Sequence, residues 1–196
     1  MKKNTIYFFD FLNIIISFVF CRWIFMDFFY FPFISIFGFP ESGIDFWRPL
    51  SVIIILTFIL FTILRTFYTK AISSLSVKLI YFFYVIILIY SLLFKNIGIR
   101  GFNFNLLSFI SDTLTIDATV PILNILIFIP LGILFSMKSK NIIIFLLTIT
   151  IIEVSQYFFY LGFFDIGDII TNVLGFIIGN LIHDSFLGEK IRTLIK

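Results

Sequence analysis

Six long apolar runs, separated by short charged or turn-forming segments, dominate the pattern of hydrophobic and polar positions along this 196-residue chain. A helix needs roughly 20 mostly apolar residues to cross about 30 Å of hydrocarbon, and each run is close to that length. The pattern predicts an all-α fold, a polytopic transmembrane bundle of about six helices. The predicted spans are 5–23, 50–68, 77–94, 119–137, 141–160 and 166–184.

Residues 24–48, between the first two predicted spans, fit this scheme least well. Their stretch FFYFPFISIFGFP is too short to cross a bilayer, and Pro32, Gly38 and Pro40 are expected to interrupt it. Aromatic residues such as Trp47 favour the boundary between headgroups and hydrocarbon. We therefore expect this segment to lie at the interface, or to re-enter the membrane without crossing it.

Lysine and arginine are distributed unevenly over the predicted connections, and cytoplasmic segments are the ones that retain them. The N-terminus, the connections after the second and fourth spans, and the C-terminal tail hold most of the 14 basic residues. This asymmetry predicts a multi-pass protein of the cell membrane with both termini in the cytoplasm. The residues concerned are Lys2, Lys3, Arg65, Lys70, Lys78, Lys138, Lys140, Lys190, Arg192 and Lys196.

The composition supports a lipid environment and excludes several other classes of protein. The chain is 61% hydrophobic and 13% charged, whereas about 25% of the residues in a typical soluble domain are charged. Its net charge of +3 comes from clusters between apolar runs, as in membrane proteins. Cys21 is the single cysteine, which excludes an intramolecular disulfide. No internal repeat supports a transporter built from duplicated halves.

Polar residues recur inside the last three predicted spans, where each is costly and needs a reason. Glu153 lies well inside its apolar run, and Gln156 follows on the same helix face. At 1.5 Å per residue, Glu153 and Asn172 both lie roughly 12 Å below the turn between spans five and six, and Asn124 has a comparable depth. We therefore predict an outward-facing polar pocket between three helices. Its predicted ligand-binding residues are Asn124, Glu153, Gln156, Asp165, Asp168 and Asn172.

The sixth span carries polar and small residues on one side, because they are spaced by three or four positions: Asp165, Asp168, Asn172, Gly175 and Gly179. One of the two aspartates can instead cap the helix N-terminus. Asn124 and Asn172 can simply hydrogen-bond across helices, and the Gly-x3-Gly spacing is typical of close helix contact. In the fourth span, Pro130 is expected to kink the helix, and Gly132 to contribute to packing.

Other interpretations of the acidic residues also stay open. Glu153 can be a neutral carboxylic acid with a structural role, and a carboxylate-only site for a hard cation such as Mg²⁺ or Ca²⁺ is conceivable. His183 follows Asp168 by fifteen positions, about 22 Å along the helix, and is expected to take no part. The sequence assigns no metal and no cofactor.

Three segments of the C-terminal half resemble the VanZ-like family of bacterial membrane proteins: NILIFIPLGIL at 124–134, IIEVSQ at 151–156 and DIGDIITNVLGFIIG at 165–179. They are similar, in order and spacing, to the family's Asn-led segment with Phe-x-Pro-x-Gly, its Glu-x-x-Gln helix and its Asp-x-x-Asp…Asn-x-x-Gly motif. NFNLLSF at 103–109 resembles the segment that often precedes these. The resemblance covers about residues 100–185.

The family is named for a protein associated with low-level teicoplanin resistance, so the resemblance implies a role in the bacterial cell envelope. Many members carry Gly-Arg before the first Asp and an extra Asp inside the motif. Here the run from Gly162 to Asp168 lacks the arginine and carries Gly167. If that arginine helps bind an anionic group, its absence implies a different ligand or weaker binding.

Three functions are compatible with these observations. The leading hypothesis is an envelope protein that binds a lipid-linked wall precursor or a glycopeptide antibiotic, without nucleic acid as a partner. The alternatives are an intramembrane enzyme acting on a lipid headgroup, with Glu153 as general base and Asp168 as its partner, and a small lipid or solute transporter. We expect three N-terminal spans within 1–99, the VanZ-like region at 100–185, and a cytoplasmic tail at 186–196.

Overall fold

The computed structural model describes residues 3–37, 39, 43–93, 101–105, 119–161 and 164–196. Several predictions fall outside these ranges, among them those for Lys2, Gly38, Pro40, Gly162 and residues 106–109.

Eight α-helices account for most of the described chain, which confirms the predicted all-α bundle. Apolar runs become helices because a helix bonds its own backbone N–H and C=O groups, and hydrocarbon offers no other partners. Two short strands, β1 (Phe102–Asn103) and β2 (Phe164–Asp165), pair in parallel. The helices are α1 (Lys3–Ile24), α2 (Tyr30–Phe37), α3 (Trp47–Thr69), α4 (Ser74–Leu93), α5 (Thr119–Gly132), α6 (Ser139–Phe158), α7 (Ile166–Asp184) and α8 (Phe186–Leu194).

Four helical segments among the described residues are long and apolar enough to cross a membrane: Lys3–Phe29, Trp47–Thr69, Ser139–Phe158 and Ile166–Asp184. They correspond to the first, second, fifth and sixth predicted spans. The apolar stretches Ser74–Tyr90 and Pro121–Gly132 lie in α4 and α5 and correspond to the third and fourth predicted spans. The count of six spans and the cytoplasmic position of both termini therefore stay predictions.

The predicted fourth span, 119–137, is too long, because α5 ends at Gly132. The amide of Asn180 on α7 donates to the carbonyl oxygens of Gly132 and Phe135, at 2.9 and 3.0 Å. The last carbonyls of a helix need partners from outside it. The backbone N–H of Phe135 already donates to Gly132 O at 3.0 Å, so Asn180 adds a donor from α7 to the turn in which the helix ends.

The chain stays helical through part of the segment that was expected to be interrupted. A π-helical turn (Phe25–Phe29) joins α1 directly to α2. Pro32 is the third residue of α2 and does not break it. A proline lacks a backbone N–H, and Pro32 follows the π-helical turn, where the regular hydrogen-bond pattern of the α-helix is already altered. A 3₁₀ turn (Gly43–Phe46) then precedes α3.

The chain divides into two compact units, and the boundary falls within α4: Met1–Phe83 with Leu194–Lys196, and Tyr84–Thr193. In the first unit, α1 packs against α3. Its C-terminal residues pair with the connection between α3 and α4, because the backbone N–H of Ile72 donates to Leu194 O and that of Lys196 donates to Ile72 O. The division predicted from the sequence, at 99 and 185, stays a prediction.

The second unit is built around a close contact between α5 and α7. A Cβ added at Gly175 would lie 2.2 Å from the carbonyl oxygen of Ile125, and one at Gly179 would lie 2.3 Å from that of Ile129. On the opposite side of the contact, a Cβ at Gly132 would lie 2.2 Å from Phe176 O. Only glycine permits such an approach of two backbones. The packing role predicted for these three glycines is therefore present in the structure.

Substituting Gly179 by alanine should destabilise the protein, because the new methyl group meets main-chain atoms that cannot move independently. Overpacking of this kind costs about 1–3 kcal/mol, and the midpoint of thermal unfolding in detergent should fall. Gly43→Ala is the matched control, since its Cβ meets nothing within 4 Å. Equal unfolding midpoints for the two variants would contradict the proposed contact.

Candidate functional site

One face of α6 is buried from Phe145 to Gln156, and its chemistry changes midway. The buried residues are Phe145, Ile149, Glu153 and Gln156, spaced by four, four and three positions. Glu153 is 3% exposed and Gln156 is 7% exposed. The face is therefore apolar near the start of the helix and polar near its end.

A cavity of about 500 Å³ lies against the polar half of this face. The second unit supplies all of its walls, mainly from α5, α6 and α7, with Tyr84 and Leu92 from α4. Five of the six predicted ligand-binding residues line it: Asn124, Glu153, Gln156, Asp168 and Asn172. The structure thus brings together polar side chains that lie up to 48 positions apart in the sequence.

Asn124 and Asp168 connect α5 to α7 at this cavity. The amide Nδ2 of Asn124 donates to Oδ1 of Asp168 at 2.8 Å. Asp168 lies in the first turn of α7, where the free N–H groups of the helix favour a negative charge. The carboxyl group is therefore held in place by the facing helix.

Gln156 and Asn172 have different roles in the cavity wall. The amide of Gln156 donates to Leu92 O, near the end of α4, at 2.6 Å. This bond gives a helix-end carbonyl the partner it needs. Asn172 is 3% exposed, and its Oδ1 atom has no hydrogen-bond partner among the described residues. A buried acceptor of this kind is costly unless something bonds to it.

Asp165 lies outside the cavity and has a structural role. Its Oδ1 accepts the backbone N–H of Gly167 at 2.7 Å, which makes it the N-cap of α7. Its Oδ2 accepts the amide of Asn103 at 2.9 Å, where β1 runs beside β2. The capping alternative raised for the two aspartates therefore holds for Asp165, while Asp168 faces the cavity.

Pro130 lies in the cavity wall as well as inside α5. Because proline has no N–H, the carbonyl of Leu126 loses its intrahelical donor. At the neighbouring position, the hydroxyl of Tyr84 donates to Ile127 O at 2.6 Å. A side chain from α4 thus supports the helix next to its proline. The kink predicted at Pro130 stays a prediction.

The lining of the cavity is acidic, and His183 does not contribute to it. Its lining, as far as the structure describes it, contains two carboxyl groups and no lysine or arginine. His183 lies near the other end of α7, where its Nδ1 is 2.7 Å from Ile133 O. No group of three or more His, Cys, Asp or Glu side chains in the described ranges could hold a metal ion. The arrangement suits a ligand that brings its own hydrogen-bond donors.

Sequence reasoning overlooked a second set of polar residues, on the helices of the first unit. Nε of Arg65 lies 3.0 Å from Oδ1 of Asp10, which also accepts the hydroxyl of Tyr68. The buried Asn13 donates to Phe61 O at 3.0 Å and accepts the hydroxyl of Ser17. Asp10, Asn13 and Ser17 are spaced by three and four positions, so the same one-sided pattern that revealed the sixth span could have revealed them.

The helix boundaries also change which basic residues lie in the connection between α3 and α4. Arg65 belongs to α3 and Lys78 to α4, so of the three basic residues placed in this connection only Lys70 lies between the two helices. Arg65 is tolerated inside an apolar helix because it is paired with an acid.

Apolar helices that line a cavity with both polar and apolar walls define a polytopic α-helical membrane protein. The sequence profile of the VanZ/LLP1 family matches residues 49–187, and the chain belongs to this family. The resemblance based on the three C-terminal segments is thereby confirmed, and the match begins early enough to include α4 and nearly all of α3. The comparisons gave no match to a curated protein or to a solved structure.

The ion pair between Asp10 and Arg65 should contribute measurably to the packing of α1 on α3. A double-mutant cycle with Asp10→Asn and Arg65→Gln should give a coupling energy of about 1 kcal/mol, in the range of partly exposed pairs and of hydrogen bonds between membrane helices. The measurement is the free energy of unfolding in mixed micelles. Strictly additive effects of the two substitutions would show that the pair adds nothing.

Proposed function

We propose that this VanZ-type protein binds the headgroup of a lipid-linked wall precursor, or a glycopeptide antibiotic of the teicoplanin type, in its polar cavity. In this proposal it is a multi-pass protein of the bacterial cell membrane, with the cavity in the outer half. The observation that carries the proposal is the convergence of five polar side chains from α5, α6 and α7 on one cavity of about 500 Å³.

The size and lining of the cavity support a binding role. Ligand sites usually have volumes of about 300–1,000 Å³ and combine apolar walls with a few well-placed polar groups. Here Leu123, Ile127 and Phe128 are among the apolar wall residues. Ionisable residues inside membrane helices mark functional sites by default. Glu153 meets that description, because it is 3% exposed and lies inside an apolar helix.

The acidic lining of the cavity determines which chemical groups of a ligand the cavity can bind. Carboxyl groups and the Oδ1 atom of Asn172 are acceptors, so they favour hydroxyl, amide or ammonium groups over phosphate. The run from Gly162 to Asp168 also lacks the arginine that many family members carry there. For a lipid-linked precursor, we therefore propose that the sugar and peptide groups enter the cavity and the diphosphate stays outside. A glycopeptide offers the same kinds of donor.

The outward orientation of the cavity follows from the charge asymmetry of the sequence. Cytoplasmic segments retain lysine and arginine; Lys138 lies in the connection between α5 and α6, and Lys140 lies in the first turn of α6. The cavity lies towards the opposite ends of these helices, where Asn124, Gln156 and Asp168 are found. In that position it faces the outer leaflet, where wall precursors and glycopeptides are encountered.

An intramembrane enzyme is the second candidate, because Glu153 and Asp168 line the same cavity. Turnover of labelled polyprenyl-linked substrates by the purified protein would favour it, and loss of turnover in Glu153→Gln would assign the acid.

Glu153→Gln should lower the amount of wall precursor that stays bound during purification. Replacing a carboxylate acceptor by an amide loses a hydrogen bond to a charged group, worth about 1.5–3 kcal/mol, or roughly tenfold or more in affinity. The measurement is mass spectrometry of lipids retained by the purified protein. Glu189→Gln is the matched control, because this acid lies exposed on α8, outside the cavity. The proposal fails if both variants retain as much precursor as the wild type.

Expression in a glycopeptide-sensitive bacterium tests the antibiotic branch of the proposal. The wild-type protein should raise the tolerated concentration of teicoplanin, and Glu153→Gln should abolish the increase while Glu189→Gln keeps it. Equal protection by Glu153→Gln would exclude the proposed role of this carboxyl group.

A further inference from the structure

A second cavity, of about 390 Å³, lies beside the polar one in the same unit. Its walls come from α4, α5, α6 and α7 and are almost entirely apolar; they include Ile89, Leu131, Phe145, Ile149 and Phe176. Its polar lining residues are turned to the backbone: the amide of Asn141 donates to Ser136 O, and the hydroxyl of Thr148 donates to Ile144 O. Apolar cavities of this kind do not hold water and accept hydrocarbon.

The two cavities are neighbours along the same helix faces. Leu92 and Phe128 line both of them. On α6, the buried face passes from Phe145 in the apolar cavity to Glu153 in the polar one, eight residues or about 12 Å further along.

On the antiparallel helix α7, the same change runs from Phe176 to Asp168, again over eight residues. The apolar and polar cavities are therefore adjacent along these helices, with Leu92 and Phe128 in the lining of both.

We infer that the apolar cavity holds the hydrocarbon chain of the ligand whose headgroup enters the polar cavity. This inference rests on the proposed function and adds the class of ligand, which is an amphiphile. Its hydrocarbon chain must be long enough to extend beyond Phe128, which lines both cavities. Adjacency to the polar cavity identifies the occupant, because a chain that passes the shared wall at Leu92 and Phe128 joins a headgroup held by Asn172 and Asp168 to the apolar cavity. The two cavities then act as one elongated site. Polyprenyl and fatty-acyl chains share this chemistry.

The test is photolabelling of the full-length protein in phosphatidylcholine nanodiscs. One probe is a polyprenyl-linked wall precursor and the other is an acylated glycopeptide, each with a diazirine on its hydrocarbon chain. Labelled peptides are mapped by mass spectrometry. At least one probe should label the side of α6 that carries Ile144 and Thr148, and the probe that does so identifies the type of chain. The inference is overturned if neither probe labels α6, or if labelling is distributed uniformly around the helix.

Two tryptophan variants make the labelling specific. Ile144 lines the apolar cavity and is 52% exposed, whereas the adjacent Ile143 is 56% exposed and lies outside it. Ile144→Trp fills the entrance and should lower labelling about tenfold, as expected from losing burial of roughly two methylene groups, while Ile143→Trp should leave it unchanged. Both positions are exposed at the helix surface, so both variants should fold. Equal labelling of the two variants overturns the inference.

Asn172→Leu separates this inference from the proposed function, because it changes only the polar cavity. If it abolishes labelling and Ile144→Trp does not, the headgroup site stands and the chain site fails. If Ile144→Trp abolishes labelling and Asn172→Leu has no effect, the chain site stands and the proposed headgroup site fails. Loss of labelling in both variants supports the single elongated site.

Discussion

The close contact between α5 and α7 is the interaction on which the polar cavity depends. Gly132, Gly175 and Gly179 let the two backbones approach until carbonyl oxygens of one helix occupy the space of side chains on the other. In a membrane, such packing drives helix association, because burying apolar surface away from lipid gives little advantage. The contact also fixes the relative height of the helices, and at that height the amide of Asn124 reaches the carboxyl group of Asp168.

Hydrocarbon requires that polar groups find partners inside the protein, and this requirement explains most of the buried polar residues. Asp165 caps α7, Gln156 bonds the end of α4, and Asn180 bonds the end of α5. Thr171, fully buried, returns its hydroxyl to the backbone of its own helix. Asn172 differs from these residues, because it lines the polar cavity and its Oδ1 atom has no hydrogen-bond partner in the described chain.

Spacing in the sequence was sufficient to predict much of the site. Glu153 and Gln156 lie on one buried face because a three-residue step returns to the same side of a helix, and the matched depths predicted for α5, α6 and α7 agree with their meeting at one cavity. Asp10, Asn13 and Ser17 on α1 are spaced by three and four positions, so the same reasoning predicts a polar face there. Asp165 could not be separated from Asp168 by spacing, because both lie at the start of a helix and only the backbone path decides which one caps it.

The sequence by itself determined the class of protein, its family and the faces of its helices, because composition and periodicity depend on local chemistry and on the solvent. It could not reveal that an amide of Asn180, from another helix, bonds the turn in which α5 ends. Nor could it reveal the apolar cavity beside the polar one, because an isoleucine that lines a cavity and one that faces lipid look the same in a sequence. Only the packing of four helices distinguishes them, since a cavity is defined by the distances between side chains that are far apart along the chain.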